Sequence, residues 1–310
     1  MTAIARRAAV LGSPIAHSLS PVLHRAAYAG LGLRDWRYDA IECDEDGLAG
    51  LLATMGPEWA GLSLTMPLKR AVLPLLDTVS DLAEAVGGAN TVVFRDGGFR
   101  DGGFRDGDLR DGDLRDGGAR HGENTDVYGI VAALNEAGVS APAGATVLGG
   151  GATAASAIAA LRELGLTEVA LVVRDPARAG ETLRVAERLG MAVTVSGFDR
   201  FGGDRAGRTR VGELVISTLP SGAADRLARE VAAALPHKGA LFDVVYSPWP
   251  TPLATAVRDR GLTVVGGFPM LLHQAVRQVE LMTGRDDVPV EAMRVAGEAE
   301  IARRIAGRAG

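Results

Sequence analysis

Residues 145–154, ATVLGGGATA, constrain the fold more than any other stretch of this chain. A short apolar run ends in Gly149, Gly150 and Gly151, and a helical pattern, ATAASAIAALRELG, follows at once. Strand, glycine turn and helix in that order open a parallel βαβ unit. Glycine there lets the backbone turn sharply and come close to a pyrophosphate lying on the helix N-terminus. The same three glycines also suit a tight turn with no ligand at all. The fingerprint is incomplete, because Ala152 stands where glycine-rich patterns carry a further glycine; alanine is small enough for close approach to survive.

From residue 126 onward strand and helix patterns alternate. VYGIVAALNEAG is helical, and strands are expected at 145–150, in EVALVVR and MAVTV, at 213–220 and 239–246, and in TVVGG. Helices are expected between them, one running from Pro176 and one over AADRLAREVAAAL. That is a doubly wound dinucleotide-binding domain over 126–266. At the end of its second strand stand Arg174 and Arg178. An acid at this place suits the ribose hydroxyl of NAD, and arginine suits the 2′-phosphate of NADP. The residues favour NADP, against Asp175 and against the plainer reading of two solvated arginines.

The first part of the chain alternates as well. Strands are expected in AAVLG, at 36–43 and 61–65, and in TVVFR. Helices are expected from a Ser20 N-cap with Pro21 at N1, over GLAGLLATM, and from Thr65-Met66-Pro67. Two helical patterns close the chain, GFPMLLHQAVRQVELMTG and VPVEAMRVAGEAEIARRIAG. The fold class is therefore α/β with two domains.

From Arg95, after TVVF, to Ala119, before RHGENTD, run five pentads: RDGGF twice, RDGDL twice and RDGGA. A single Asp-Gly there would make a hairpin turn. Because five is odd, each copy in an extended chain would turn its Phe or Leu to the opposite face. No one-sided core results, so 95–120 is expected to be a solvated, mobile insertion without catalytic role. The Asp-Arg alternation also argues against a calcium site.

A net charge of −5 and the lack of a basic stripe give no reason to expect nucleic acid. No apolar run approaches the roughly 20 residues of a membrane span. Cys43 is the only cysteine, which excludes an internal disulfide and fits a reducing cytoplasm. The five histidines show no metal spacing. A small-molecule substrate and a monomer or homodimer are expected.

Two groups then suggest chemistry. Ser18 and Ser20, in HSLS beside a helix start, suit a carboxylate, although a cap and a loop residue would look the same. Lys69, in SLTMPLK, and Asp126, in GENTDVYG at the handover between the domains, suit a proton-transfer pair for a hydride reduction. Lysine is more often solvated, and spacing alone does not bring the two together.

GSPIAHSLSPVLH, LTMPLK, GANTV, GENTDVYG, VLGGGATA, DVVYSPWPTPL and GFPMLLHQA occur here in the order found in shikimate dehydrogenases, and the chain resembles that family over nearly all its length outside the repeats. The resemblance implies NADPH-linked, reversible reduction of 3-dehydroshikimate to shikimate in aromatic amino-acid biosynthesis. It implies that Ser18, Ser20 and Tyr246 hold the substrate carboxylate, and that Thr65, Asn90 and Gln274 position the ring. Lys69 and Asp126 would be catalytic. Gly149, Gly150, Gly151, Ala152 and Thr153 would cradle the pyrophosphate, Arg174 and Arg178 would face the 2′-phosphate, and Gly267 would lie near the nicotinamide. The terminal helices, 267–310, would return to the first domain, 1–125. Three positions depart from the pattern: Ser63 stands for an asparagine, Ala152 for a glycine and Val173 for an asparagine. The first is expected to loosen the loop of Thr65, and the last to weaken cofactor affinity. An NAD-linked quinate/shikimate dehydrogenase and a silent ligand-sensing paralogue are the alternatives.

Overall fold

The computed structural model describes residues 5–95, 118–201 and 211–309. The chain divides into two compact units, Met1–Thr125 with Ala275–Ala302, and Asp126–Gln274 with Arg303–Gly310.

The first unit begins β1 (Arg6–Gly12), α1 (Ser20–Gly30), β2 (Trp36–Glu42), α2 (Glu45–Ala53) and β3 (Trp59–Leu64). It continues with α3 (Leu68–Ala71), β4 (Thr78–Val79), α4 (Asp81–Val86), β5 (Thr91–Arg95) and β6 (Ala119–Glu123). The sheet order is β2-β1-β3-β5-β6-β4. β1 is parallel to β2 and β3, whereas β5 is antiparallel to β3 and β6, so the sheet is mixed. β3 is buried along its whole length, as its central position requires. Its period-two alternation turns Leu62 and Leu64 to one face. There they join Ala9, Leu11, Val92 and Phe94 under Leu48 and Leu52 of α2. Ser63 and Gly61 face the other way, toward the end of the chain: a Cβ on Gly61 would lie 2.6 Å from Met282 Cγ.

Local signals explain the helix starts, with one correction. Asp44 caps α2, its Oδ1 accepting Gly47 N–H at 2.9 Å. Ser20, expected as a cap, is instead the first residue of α1; the boundary residue is Leu19, which makes no side-chain cap, and Ser18 Oγ accepts Ser20 N–H at 3.2 Å. The hairpin between β5 and β6 closes its ladder at Arg95 opposite Ala119. The expectations for the repeats between them fall outside the described residues.

The second unit contains α5 (Thr125–Glu136, from its second residue), β7 (Ala145–Leu148), α6 (Ala152–Glu163), β8 (Glu168–Val173), α7 (Gly180–Arg188) and β9 (Ala192–Gly197). Then follow β10 (Leu214–Ser217), α8 (Ala228–Ala234), β11 (Ala240–Asp243), α9 (Pro252–Arg258) and β12 (Thr263–Val265). Two long helices end the chain, α10 (Gly267–Thr283) and α11 (Val290–Ala309). The order β12-β11-β10-β7-β8-β9, parallel throughout, is the doubly wound arrangement whose strand order reverses between β7 and β10. Leu148, Val172, Val215 and Leu241 pack against Leu227, Val231, Leu253 and Val257 on one face.

Two details differ from expectation. The helix expected from Pro176 is a 3-10 turn, Pro176–Arg178, followed by α7. α9 was not anticipated, although Thr251-Pro252 carries its start signal: Thr251 Oγ1 accepts Ala254 N–H at 3.0 Å. The first unit resumes at Ala275. The first turns of α10 pack on α5, where a Cβ on Gly129 would sit 2.7 Å from Met270 O.

Candidate active site

In the first unit, the site residues gather on the turn before β5. Asn90 Oδ1 accepts the N–H of Thr125 at 2.7 Å, and Asn90 Nδ2 donates to Thr125 Oγ1 at 3.0 Å. Asn90 O accepts Leu64 N–H at 2.7 Å, one residue before Thr65. Ala89 N–H donates to Lys69 O at 2.8 Å, and Asn124 Nδ2 donates to Gly88 O at 2.8 Å. Thus the Gly88–Asn90 turn fixes the backbone of Lys69, the approach to Thr65, and the residue that precedes Asp126. Thr65 N–H is itself held by Leu11 O at 2.9 Å. Lys69 and Thr65 are half-buried; Asn90 is buried.

Ser18 and Ser20 sit at the start of α1, the first half-buried and the second buried. The loop before them is tied down by Glu42, which accepts Ser13 Oγ–H at 2.6 Å and Ile15 N–H at 2.9 Å. These two bonds hold the Glu42 carboxyl below its ordinary range. Behind Ser20 lies a polar chain that the motifs did not reveal. The Tyr38 phenol donates to Ser63 Oγ at 2.6 Å, and Ser63 donates to Gln278 Oε1 at 2.7 Å. Gln278 Nε2 donates to Thr91 Oγ1 at 2.9 Å and to Asn90 O at 3.3 Å. Burial raises the Tyr38 phenol far above its ordinary range, against the hydrogen bonds to Ser63 and Ser20. Only the presence of hydroxyls and an amide at otherwise apolar strand and helix positions could have signalled this chain.

In the second unit, Gly149 adopts φ +109°, and a Cβ there would meet Thr218 Oγ1 at 2.5 Å across the β7–β10 reversal. Only glycine suits that turn. Gly151 is the N-cap of α6 and offers no side chain to the first-turn N–H groups; no acid occupies that turn, and nothing crowds Gly151. A helix start left in this way suits an anion, so the turn from Gly149 to Thr153 fits a pyrophosphate. Thr182 of α7 adds a clasp, its hydroxyl donating to Gly150 O at 2.8 Å. Val173 is buried, its side chain close to the Cβ position of Gly150 (3.2 Å). Arg174 and Arg178 are exposed. Asp175 Oδ1 accepts Ala177 N–H at 3.1 Å, so this acid caps the turn that bears Arg178.

The remaining site residues also belong to this unit. Asp126 is buried in the first turn of α5. Gln274 is buried on α10 and donates to Leu271 O at 2.8 Å. Its neighbour His273 reaches Glu136 Oε2 at 2.6 Å. Gly267 N–H donates to Val245 O at 3.1 Å, and any Cβ there would collide with Val244 O. Tyr246, on the same loop, is half-buried; burial raises its phenol, and Arg304 opposes the shift. Lys69 and Asp126 therefore fall in different units. Among the described residues there is no group of three or more His, Cys, Asp or Glu that could hold a metal, and no helix is long and apolar enough to cross a membrane.

A mixed-sheet α/β unit joined to a doubly wound parallel one, with a glycine turn running into an uncapped helix, defines a two-domain protein with a Rossmann-type half. Residues 10–92 match the model of the shikimate dehydrogenase substrate binding domain, and residues 267–296 match that of the shikimate 5′-dehydrogenase C-terminal domain. A curated NADP(+) shikimate dehydrogenase of Thermus thermophilus is 35% identical over 97% of this chain and 99% of its own. The crystal structure of Mycobacterium tuberculosis shikimate dehydrogenase superposes with TM-score 0.77 at 40% identity, covering 95% of this chain and 99% of that one. A Thermus thermophilus structure in complex with NADP(H) and shikimate gives TM-score 0.75 at 31% identity, with 95% and 99% covered. The chain belongs to the shikimate dehydrogenase family.

Proposed function

We propose that this protein catalyses the reversible, NADPH-dependent reduction of 3-dehydroshikimate to shikimate, a step of aromatic amino-acid biosynthesis. The observation that carries the proposal is the turn at Gly88–Asn90, which anchors Lys69, the strand leading to Thr65 and the residue before Asp126 in one hydrogen-bonded knot. Full-length similarity to NADP-linked relatives supports it.

In this account Ser18, Ser20 and Tyr246 hold the substrate carboxylate, while Thr65, Asn90 and Gln274 bind the ring hydroxyls. Bound NADPH supplies a hydride to the carbonyl carbon. The alkoxide so formed takes its proton from the Lys69 ammonium, and the Asp126 carboxylate orients the resulting hydroxyl. In the reverse direction Lys69 accepts that proton. Gly149, Gly150, Gly151, Ala152 and Thr153 cradle the pyrophosphate, with Arg174 and Arg178 on the 2′-phosphate and Gly267 beside the nicotinamide. The domains follow the family arrangement, 1–125 with 267–310 for substrate and 126–266 for cofactor. The enzyme works as a cytoplasmic monomer or homodimer on small molecules alone.

The test is a set of initial rates with shikimate or quinate, each with NADP+ or NAD+. The shikimate and NADP+ pair is expected to exceed every other pair in kcat/KM by about tenfold or more. A preference for quinate with NAD+ would establish the catabolic alternative, and no turnover with any pair would support the silent paralogue.

A further inference from the structure

We propose that Ser63 and Gln278 are positioning residues for the substrate site, forming the middle of a buried relay that ties the serine end of the site to the start of the helix bearing Asp126. The inference rests on the shikimate dehydrogenase reading for the roles of Ser20, Asn90 and Asp126. The relay itself lies within the first unit.

Its members come from β2, β3, α10 and β5, and Tyr38, Ser63, Gln278, Thr91 and Asn90 are all buried. Proton counting gives the relay one direction. Ser63 has a single hydroxyl proton and gives it to Gln278 Oε1, while its oxygen accepts the Tyr38 phenol. That fixes the Gln278 amide with its nitrogen toward Thr91 and Asn90 O. Thr91, its oxygen taken by Gln278, gives its own proton to Asn90 Oδ1 at 3.0 Å. Asn90 then has one orientation left, with Oδ1 on Thr125 N–H and Nδ2 on Thr125 Oγ1. At the other end the Tyr38 ring stacks on His24 with centroids 3.9 Å apart, and His24 Nδ1 meets Ser20 O at 2.9 Å. Both ends of the relay thus reach site residues, one of them through His24. Turning the Gln278 amide over would break its bonds on both sides.

Serine at 63, expected to loosen the loop of Thr65, has a place of its own in this relay. One oxygen bridges Tyr38 and Gln278, with bonds of 2.6 and 2.7 Å. Serine completes the relay with a single oxygen that both accepts and donates.

The experiment measures steady-state rates with shikimate and NADP+ for the full-length protein and for Ser63→Ala, Ser63→Thr, Gln278→Met and the Ser63→Ala/Gln278→Met pair, alongside thermal melts. Wild-type turnover of shikimate is measured first; its absence would overturn the functional reading and this proposal with it. With an active wild type, Ser63→Ala is expected to lose about tenfold in kcat/KM for shikimate with the KM for NADP+ unchanged. Ser63→Thr should keep most of the activity, and the double variant should be no worse than the poorer single one. Tyr38→Phe, which keeps the ring, carries the same expectation should Ser63→Ala fail to fold. The relay is overturned, and the functional reading left standing, by any of three results: unchanged kcat/KM, a kcat loss that merely follows the folded fraction, or losses that multiply in the double variant.

Discussion

Asn90 Oδ1 accepts the N–H of Thr125 at 2.7 Å, so the helix that carries Asp126 starts from an amide side chain on the opposite side of the β5–β6 hairpin. The same residue receives Leu64 N–H on its carbonyl. Its side chain thereby fixes the start of α5, and its backbone carbonyl holds the end of β3. Asn90→Ala removes a helix-end partner and leaves Thr125 N–H buried, a loss of about 1–3 kcal/mol. We expect a lower melting temperature and a fall in kcat larger than the rise in KM for NADP+, read by calorimetry and initial rates. An unchanged melt would contradict the capping role.

Glu42 makes a second, pH-dependent prediction. Its hydrogen bonds to Ser13 and Ile15 N–H hold its carboxyl below its ordinary 4.5. A depressed carboxylate contributes stability above its unfolded value and loses it as pH falls through the folded one. Glu42→Gln should therefore raise the KM for shikimate at neutral pH, by loosening the loop that leads to Ser18. The melting difference between Glu42→Gln and the wild type should shrink as the pH drops below 4.5. A difference that grows instead would reverse the sign of the argument.

The Thr182 clasp predicts a cofactor effect. Its hydroxyl is buried on Gly150 O, between the pyrophosphate turn and the helix after Arg178. Thr182→Val keeps the shape and loses the bond. The KM for NADP+ should rise about threefold to tenfold, on the scale of one lost hydrogen bond, with the KM for shikimate unaltered. Thr182→Ser should remain close to wild type. Equal shifts for both substrates would count against the clasp.

The doubly wound half was legible in the sequence because glycine turn, strand length and helix period all reported the same local geometry. The hydroxyl-proline signal before α1 was legible too, but off by one residue: the boundary falls at Leu19, and Ser18 reaches only the N–H of Ser20. What could not be read was the partnership of Ser63 with Gln278, which stand 215 residues apart. Periodicity tells which face a side chain takes, not which polar group will meet it there. The position of Asp175 was misleading for the same reason: as an acid near the cofactor end it argued against NADP, yet its carboxylate is turned back onto Ala177 N–H.

The assignment of Lys69 as the proton donor is the centre of the functional account, and Lys69→Ala tests it most directly. We expect shikimate-dependent NADP+ reduction to fall at least a hundredfold in kcat, the scale of general acid–base catalysis, while the dissociation constant for shikimate changes far less. Turnover close to wild type in a folded Lys69→Ala protein would contradict it.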